Sequence, residues 1–317
     1  MKVEDIKNVL VIGAGTMGEG IVQNFAQCGL MVQVVARHQE TLDKCLNQVE
    51  HNLNQFKEFG LLKESPSAIK SRVKPVLASS LTAALKECDY VVETVPEVLQ
   101  TKKDLLLQID SLRQDVVIAS NTGSFTITDL AEGLRNPSRI VGLHYFNPAH
   151  IIPAVEIHRG QHTLDEAVEL TRALMVKSGK KPVLVRKVLP GFVVNRITGA
   201  MEREIDYLLD NGVITPEELD VALKGSFGFR LACMGPMEAE DMIGLDIAMR
   251  VGERVFKVLS NATEPSPDLV AKVKKGELGI KAGKGWYDYT GKSKAEVLEG
   301  INRRLLRQLA LFNSTDK

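Results

Sequence analysis

Two residues in the middle of the chain have the types and spacing for proton-transfer chemistry. His144 closes a strand-like run, Ile140 to Leu143, within Gly142-Leu143-His144-Tyr145-Phe146-Asn147-Pro148. Glu156 lies inside the next such run, Ala154 to Ile157. If the two segments pack side by side, the carboxylate accepts a hydrogen bond from one imidazole nitrogen. That fixes the tautomer and leaves the other nitrogen as a general base near neutral pH. On these residues alone, a structural histidine at a strand end and a glutamate starting a loop fit equally well. The elements around them decide between the readings.

At the N-terminus, Asn8 to Ile12 is a short β-branched run that stops at Gly13-Ala14-Gly15-Thr16-Met17-Gly18. A helical pattern opens there with Ile21, Phe25 and Ala26 on one face, and a buried-type strand, Leu30 to Val35, follows Gly29. Strand, glycine turn, helix and strand in that order are the context in which a G-x-G-x-x-G motif binds a dinucleotide. The glycines permit the tight turn and let a pyrophosphate approach the backbone at a helix N-terminus.

Strand and helix patterns then alternate. Helices are expected over Gln39 to Gly60, from Ser65-Pro66, and over Leu81 to Lys86, Val98 to Leu112 and Asp129 to Leu134. Strands are expected at Val73 to Val76, Tyr90 to Glu93, Val116 to Ala119 and Val183 to Arg186. The pattern predicts an α/β fold, a Rossmann-type doubly wound and mostly parallel sheet, with ligands beyond the carboxyl ends of its strands. Glu97, Ser120-Asn121 and His144 would gather on that edge. Beyond Pro190-Gly191 the texture turns helical, starting with Phe192 to Asp210 and a helix start at Thr215-Pro216. The expected boundary is near Leu189, with a nucleotide-binding domain over residues 1–189 and an all-helical substrate and dimerisation domain over 190–317.

Composition excludes several classes. Forty basic and forty acidic residues cancel over 317 positions, and no block of like charge suggests a nucleic-acid stripe or a polybasic membrane arm. Cys28, Cys45, Cys88 and Cys233 lack metal-ligand spacing and read as reduced thiols. The opening residues carry no apolar signal core, and no apolar stretch approaches a membrane span. A soluble cytoplasmic protein, with no membrane, metal or nucleic-acid partner, is expected.

The motifs together resemble the 3-hydroxyacyl-CoA dehydrogenase family over nearly the whole length. They are the glycine turn, Val92-Glu93-Thr94-Val95-Pro96-Glu97, Ser120-Asn121-Thr122, His144 to Pro148, Pro190-Gly191-Phe192-Val193-Val194-Asn195-Arg196, Gly235-Pro236, Gly244-Leu245-Asp246 and Gly283-Lys284-Gly285-Trp286-Tyr287. The resemblance implies a homodimer joined through the helical domain. It also implies hydride transfer between a nicotinamide and the carbon β to a carboxyl or thioester. By the same resemblance His144 is the base, Glu156 orients it, and Asn195 hydrogen-bonds the reacting oxygen, where charge builds. Gly13, Gly15, Thr16, Met17, Gly18, Glu97, Lys102, Asn121, Asn147 and Lys281 fall on cofactor-side positions.

The sequence departs from the family pattern in three places. The active-site serine expected after Ser-Asn-Thr is Gly123, with Ser124 one residue later; a one-residue shift re-aims a side chain. A neighbouring amide or a water, rather than the Ser124 hydroxyl, is expected to compensate. Where an acid usually ends the second strand, Ala36-Arg37 stands, which favours NADP(H), with NAD(H) the alternative. Finally, His150-Ile151-Ile152-Pro153 and Gly228-Phe229-Arg230 to Pro236 look more like the lambda-crystallin (gulonate dehydrogenase), carnitine dehydrogenase and pyridine-carboxylate dehydrogenase branch. Arg230, with a guanidinium that matches a carboxylate bidentately, is expected to bind a substrate carboxylate, against pairing with Glu238 or Asp241. The expected substrate is a small 3-hydroxy or keto acid. The alternatives are a short-chain acyl-CoA such as 3-hydroxybutyryl-CoA and an inactive cofactor-binding structural or sensor protein.

Overall fold

The computed structural model describes residues 1–315. Its first strand, β1 (Asn8–Ile12), pairs in parallel with β2 (Met31–Ala36) on one side and β4 (Tyr90–Glu93) on the other. With β3 (Val73–Leu77), β5 (Val117–Ser120), β6 (Ile140–Tyr145), β7 (Ala154–Arg159) and β8 (Lys181–Val185), the order across the eight-stranded sheet is β3-β2-β1-β4-β5-β6-β7-β8. All neighbours are parallel except β6 and β7. The strand order reverses between β1 and β4, which opens a crevice at their carboxyl ends.

Burial on both faces explains the near-continuous apolar strands. Val9, Val11, Val34, Tyr90 and Val92 pack into one layer, and the intervening Leu10, Ile12, Val35 and Val91 into the other. Each such side chain removed from water contributes roughly 1.5–3 kcal/mol. Helices α1 (Thr16–Gln27), α2 (Gln39–Glu58), α3 (Pro66–Lys70), α4 (Leu81–Glu87), α5 (Leu99–Leu112), α6 (Ile127–Leu130) and α7 (Asp165–Lys177) cover the sheet. Ser65 caps α3 by accepting the Ala68 N–H, with Pro66 at the first helical position.

A second unit is helical: α8 (Val194–Asp210), α9 (Pro216–Gly225), α10 (Phe227–Leu231), α11 (Pro236–Ile243), α12 (Leu245–Val255) and α13 (Pro267–Lys274). Thr215 and Glu218 form a reciprocal capping box at the start of α9. The last helix, α14 (Lys294–Thr315), crosses between units, since the first comprises Met1–Val193 together with the chain from Asn302, and the second Val194–Ile301. Leu306 is fully buried with Phe56 and Ile151, and Arg303 pairs with Glu58 at 2.7 Å. The boundary expected near Leu189 lies a few residues before the division at Val193/Val194, and the chain from Asn302 counts with the first unit. Local pattern reports that a helix is amphipathic but not which distant residues cover its apolar face.

Smaller differences follow from local chemistry. The helix expected at Asp129 to Leu134 is instead α6, set earlier because the Thr126 hydroxyl accepts the Asp129 N–H. Helix α8 begins at Val194 rather than Phe192, because Gly191 (φ 81) and Phe192 (φ 52) both take the left-handed conformation. The strand expected at Val183 to Arg186 runs Lys181–Val185 as β8.

Candidate active site

The pairing of β6 with β7 places His144 opposite Glu156. His144 Nδ1 lies 2.9 Å from Glu156 Oε2, and both side chains are buried, at 11% and 1% exposure. A carboxylate can only accept, so Nδ1 carries the proton and Nε2 is left as the acceptor. The other carboxylate oxygen, Oε1, accepts the Val193 N–H at 3.1 Å. Phe146 and Phe192 flank the imidazole, with ring centroids at 4.6 and 5.8 Å.

The glycine turn has the shape a pyrophosphate requires. A Cβ on Gly13 (φ 121) would meet the Thr94 carbonyl oxygen at 2.4 Å, and one on Gly18 would meet the Gly13 carbonyl oxygen at 2.0 Å. Gly15, by contrast, has nothing within 4 Å of that position and caps α1, so the helix N-terminus faces open space. Thr16 and Met17 form the first turn. These residues fit a dinucleotide. Arg37 and His38 follow β2 and are exposed.

Between these features lies a network that the sequence did not reveal. Glu93 and Ser120 stand opposite each other at the ends of β4 and β5. Glu93 is fully buried, accepts from the Ser120 hydroxyl, and takes a bond from Lys102 Nζ at 2.8 Å. Burial pushes the Glu93 carboxyl up, against the pull of Lys102. Lys102 also donates to the Asn121 carbonyl at 3.2 Å and lies 3.3 Å from Glu97. Its side chain is fully buried.

Glu97 Oε1 accepts from the Thr122 and Ser124 hydroxyls at 2.6 and 2.8 Å, and from the Gly123 and Ser124 amides at 3.1 Å. Burial raises its carboxyl, but the bonds from Thr122, Ser124 and Lys102 outweigh that and hold it below the usual range. The Asn121 side chain bridges Thr94 Oγ1 and the Tyr145 N–H, both at 3.0 Å, tying three strand ends together. Asn147 is exposed and precedes a cis peptide bond to Pro148.

The remaining expected site residues belong to the helical unit. Asn195 lies in the first turn of α8, Arg230 in α10 and Lys281 in a short 3-10 turn, Ile280–Ala282, and all three are exposed. Arg230 makes no ion pair with Glu238 or Asp241 among the described residues. A cavity of about 360 Å³ lies in the first unit, lined by Asn24, His150, Lys180 and Asn313 among others, and holds none of the expected site residues. There Lys180 Nζ ties the Ala149 and Ile152 carbonyls at 2.6 and 2.7 Å, pinning the turn between β6 and β7.

A doubly wound sheet, a glycine turn shaped for pyrophosphate and a histidine–carboxylate pair in the same unit define a dinucleotide-dependent dehydrogenase. Residues 8–188 match the 3-hydroxyacyl-CoA dehydrogenase NAD binding domain, and residues 191–289 match the 3-hydroxyacyl-CoA dehydrogenase C-terminal domain. The chain belongs to the 3-hydroxyacyl-CoA dehydrogenase family, an NAD-dependent family of oxidoreductases.

Among its relatives is 5-formyl-3-hydroxy-2-methylpyridine 4-carboxylate 5-dehydrogenase of Mesorhizobium japonicum, 35% identical, covering 90% of this chain and 91% of that protein. The 3-hydroxybutyryl-CoA dehydrogenase of Clostridioides difficile is also 35% identical, covering 88% of this chain and 98% of its own. Among solved structures, an enzyme of the first kind, described as an NAD+ dependent dismutase, superposes with a TM-score of 0.90 at 32% identity, covering 97% and 99% of the two chains. The (S)-3-hydroxybutyryl-CoA dehydrogenase of Ralstonia eutropha superposes with a TM-score of 0.72 at 35% identity, covering 90% and 100%.

Proposed function

We propose that the chain interconverts the hydroxyl and keto forms of a small carboxylic acid at the carbon β to the carboxyl. The observation that carries this is the 2.9 Å contact between His144 Nδ1 and Glu156 Oε2 in a chain of this family. In the oxidising direction His144 Nε2 takes the hydroxyl proton as the carbon–hydrogen electron pair leaves. Glu156 holds the tautomer and stabilises the imidazolium that forms. Asn195 hydrogen-bonds the oxygen as it gains carbonyl character. The nicotinamide, when bound, supplies the hydride acceptor. Glu97 fixes the loop of Thr122, Gly123 and Ser124 by accepting both amides and the Ser124 hydroxyl, and a water stands in for the absent serine.

The free-acid reading draws support from the pyridine-carboxylate relative, whose structure superposes over 97% of this chain. Arg230, exposed and carrying no ion pair among the described residues, is the proposed partner of the substrate carboxylate. A second reading, a 3-hydroxybutyryl-CoA substrate, draws support from relatives of that name at 35% identity. A kinetic screen of free 3-hydroxy acids beside their CoA esters decides between them. Turnover of CoA esters alone would overturn the free-acid reading, and none with either class would favour a cofactor-binding protein without activity.

NAD(H) use follows from the family and from the NAD+ dependent relative. The finer proposal is a preference for NADP(H), supported by Ala36-Arg37 at the end of β2, where no acid repels a 2′-phosphate and a guanidinium can bind it. A clear preference for NAD(H), unchanged in Arg37→Ala, would refute it. No helix among the described residues is long and apolar enough to cross a membrane; cytoplasmic placement is part of the proposal. So is a homodimer, supported by apolar side chains such as Phe229, Leu245, Met249 and Phe256, each more than 60% exposed in the helical unit.

A further inference from the structure

Strands β6 and β7 set Gly142 opposite His158, as they set His144 opposite Glu156. Alternate residues of a strand share a face, so all four lie on one side of the sheet. His158 is fully buried, and neither ring nitrogen has a hydrogen-bond partner among the described residues. Buried polar groups are nearly always paired, so this ring needs another reason to be there. Its ring stacks on Phe192, with centroids 4.0 Å apart and planes at 30°.

Gly142 makes room for that stack, because a Cβ there would stand 2.1 Å from His158 Cε1. Phe192 is itself buried, and among the described residues it is the one non-glycine at positive φ, with φ 52. Such a backbone persists only where its surroundings over-determine it. The same ring stands edge-on to His144 at 5.8 Å, and the next residue, Val193, donates its N–H to Glu156 Oε1 at 3.1 Å.

We propose that Phe192, seated on His158 over Gly142, is a positioning residue for the His144–Glu156 pair. Its ring fixes the plane of the imidazole, and its left-handed backbone delivers the Val193 N–H that fixes the carboxylate. His158 is the platform on which the ring rests. The inference rests on the reading of His144 and Glu156 as base and orienter.

The test compares Phe192→Leu, His158→Ala and His158→Phe in the full chain, with His144→Ala in parallel. Readouts are kcat, KM, cofactor Kd, the unfolding midpoint and the nitrogen-15 spectrum of the His144 imidazole. Phe192→Leu and His158→Ala are expected to lower kcat by roughly 10–100-fold with KM little changed, as small misplacements of reacting groups do. The resonance of the Nδ1–H bonded to Glu156 should broaden or vanish in both. His158→Phe keeps a flat ring under Phe192 and should preserve that resonance and most of kcat. An unchanged kcat and resonance in Phe192→Leu and His158→Ala would overturn the proposal, as would a loss of activity that merely follows the folded fraction. An active His144→Ala enzyme would instead overturn the base assignment. An inactive one beside normal Phe192 and His158 variants would overturn only the positioning role.

Discussion

His144 and Glu156 face each other across the one antiparallel pairing among the described strands, with Nδ1 and Oε2 2.9 Å apart. The reversal of β7 brings a carboxylate from the interior of one strand to a histidine near the carboxyl end of another. Glu156→Gln keeps the shape but cannot satisfy both the His144 Nδ1–H and the Val193 N–H. It is expected to lower kcat by about 10²-fold, with cofactor binding retained. Isothermal titration with the cofactor beside steady-state kinetics checks both halves.

Ser124 donates its hydroxyl to Glu97 at 2.8 Å, which commits the group to holding the loop. Removing one of several bonds to that carboxylate costs about 1 kcal/mol. Ser124→Ala should therefore lower kcat/KM only about fivefold. A loss as severe as that of His144→Ala would give the hydroxyl a direct part in catalysis.

Lys102 and Glu93 form an ion pair at 2.8 Å with both side chains at 0% exposure. Breaking a buried pair by removing one member leaves an uncompensated charge and costs about 3–5 kcal/mol. Lys102→Met should lower stability by that order in urea unfolding. If instead the variant were fully stable and only cofactor affinity fell, Lys102 would act on the cofactor rather than on the fold.

Burial holds two histidines below the ordinary value of 6.5, His158 at about 4 and His150 at about 3. His144 also pushes His158 down while Glu156 pulls it up, and Lys180 and His51 add to the depression at His150. From pH 6.5 down to about 4 the unfolded chain binds protons at both residues that the folded one refuses. Stability should fall through that window by up to about 1.4 kcal/mol per pH unit for each group. Below the folded values the loss levels off. His158→Phe should flatten the pH dependence by one proton, and an identical slope in the variant would remove His158 as a source.

The mostly parallel strands were legible because most are short apolar runs ending in a polar turn, as Tyr90 to Glu93 is. The glycine turn was legible because only glycine fits where Gly13 and Gly18 meet backbone at 2.0 to 2.4 Å. The buried lysine was not, since nothing local distinguishes Lys102 from the half-buried Lys103 beside it in the same helix; its partners lie at Glu93 and Asn121. Nor was the return of the chain from Asn302 to the first unit, which depends on Leu306 meeting Phe56 and Ile151. The left-handed Phe192 escaped notice because phenylalanine carries no sequence signal for positive φ, unlike Gly191 beside it.

General-base catalysis by His144 is tested most directly by turnover of His144→Ala on whichever hydroxy acid or ester the wild-type chain oxidises, with cofactor Kd measured on the same sample. The expected result is a fall in kcat of roughly 10²–10⁴-fold with cofactor affinity unchanged. A kcat near that of the wild type would contradict the assignment.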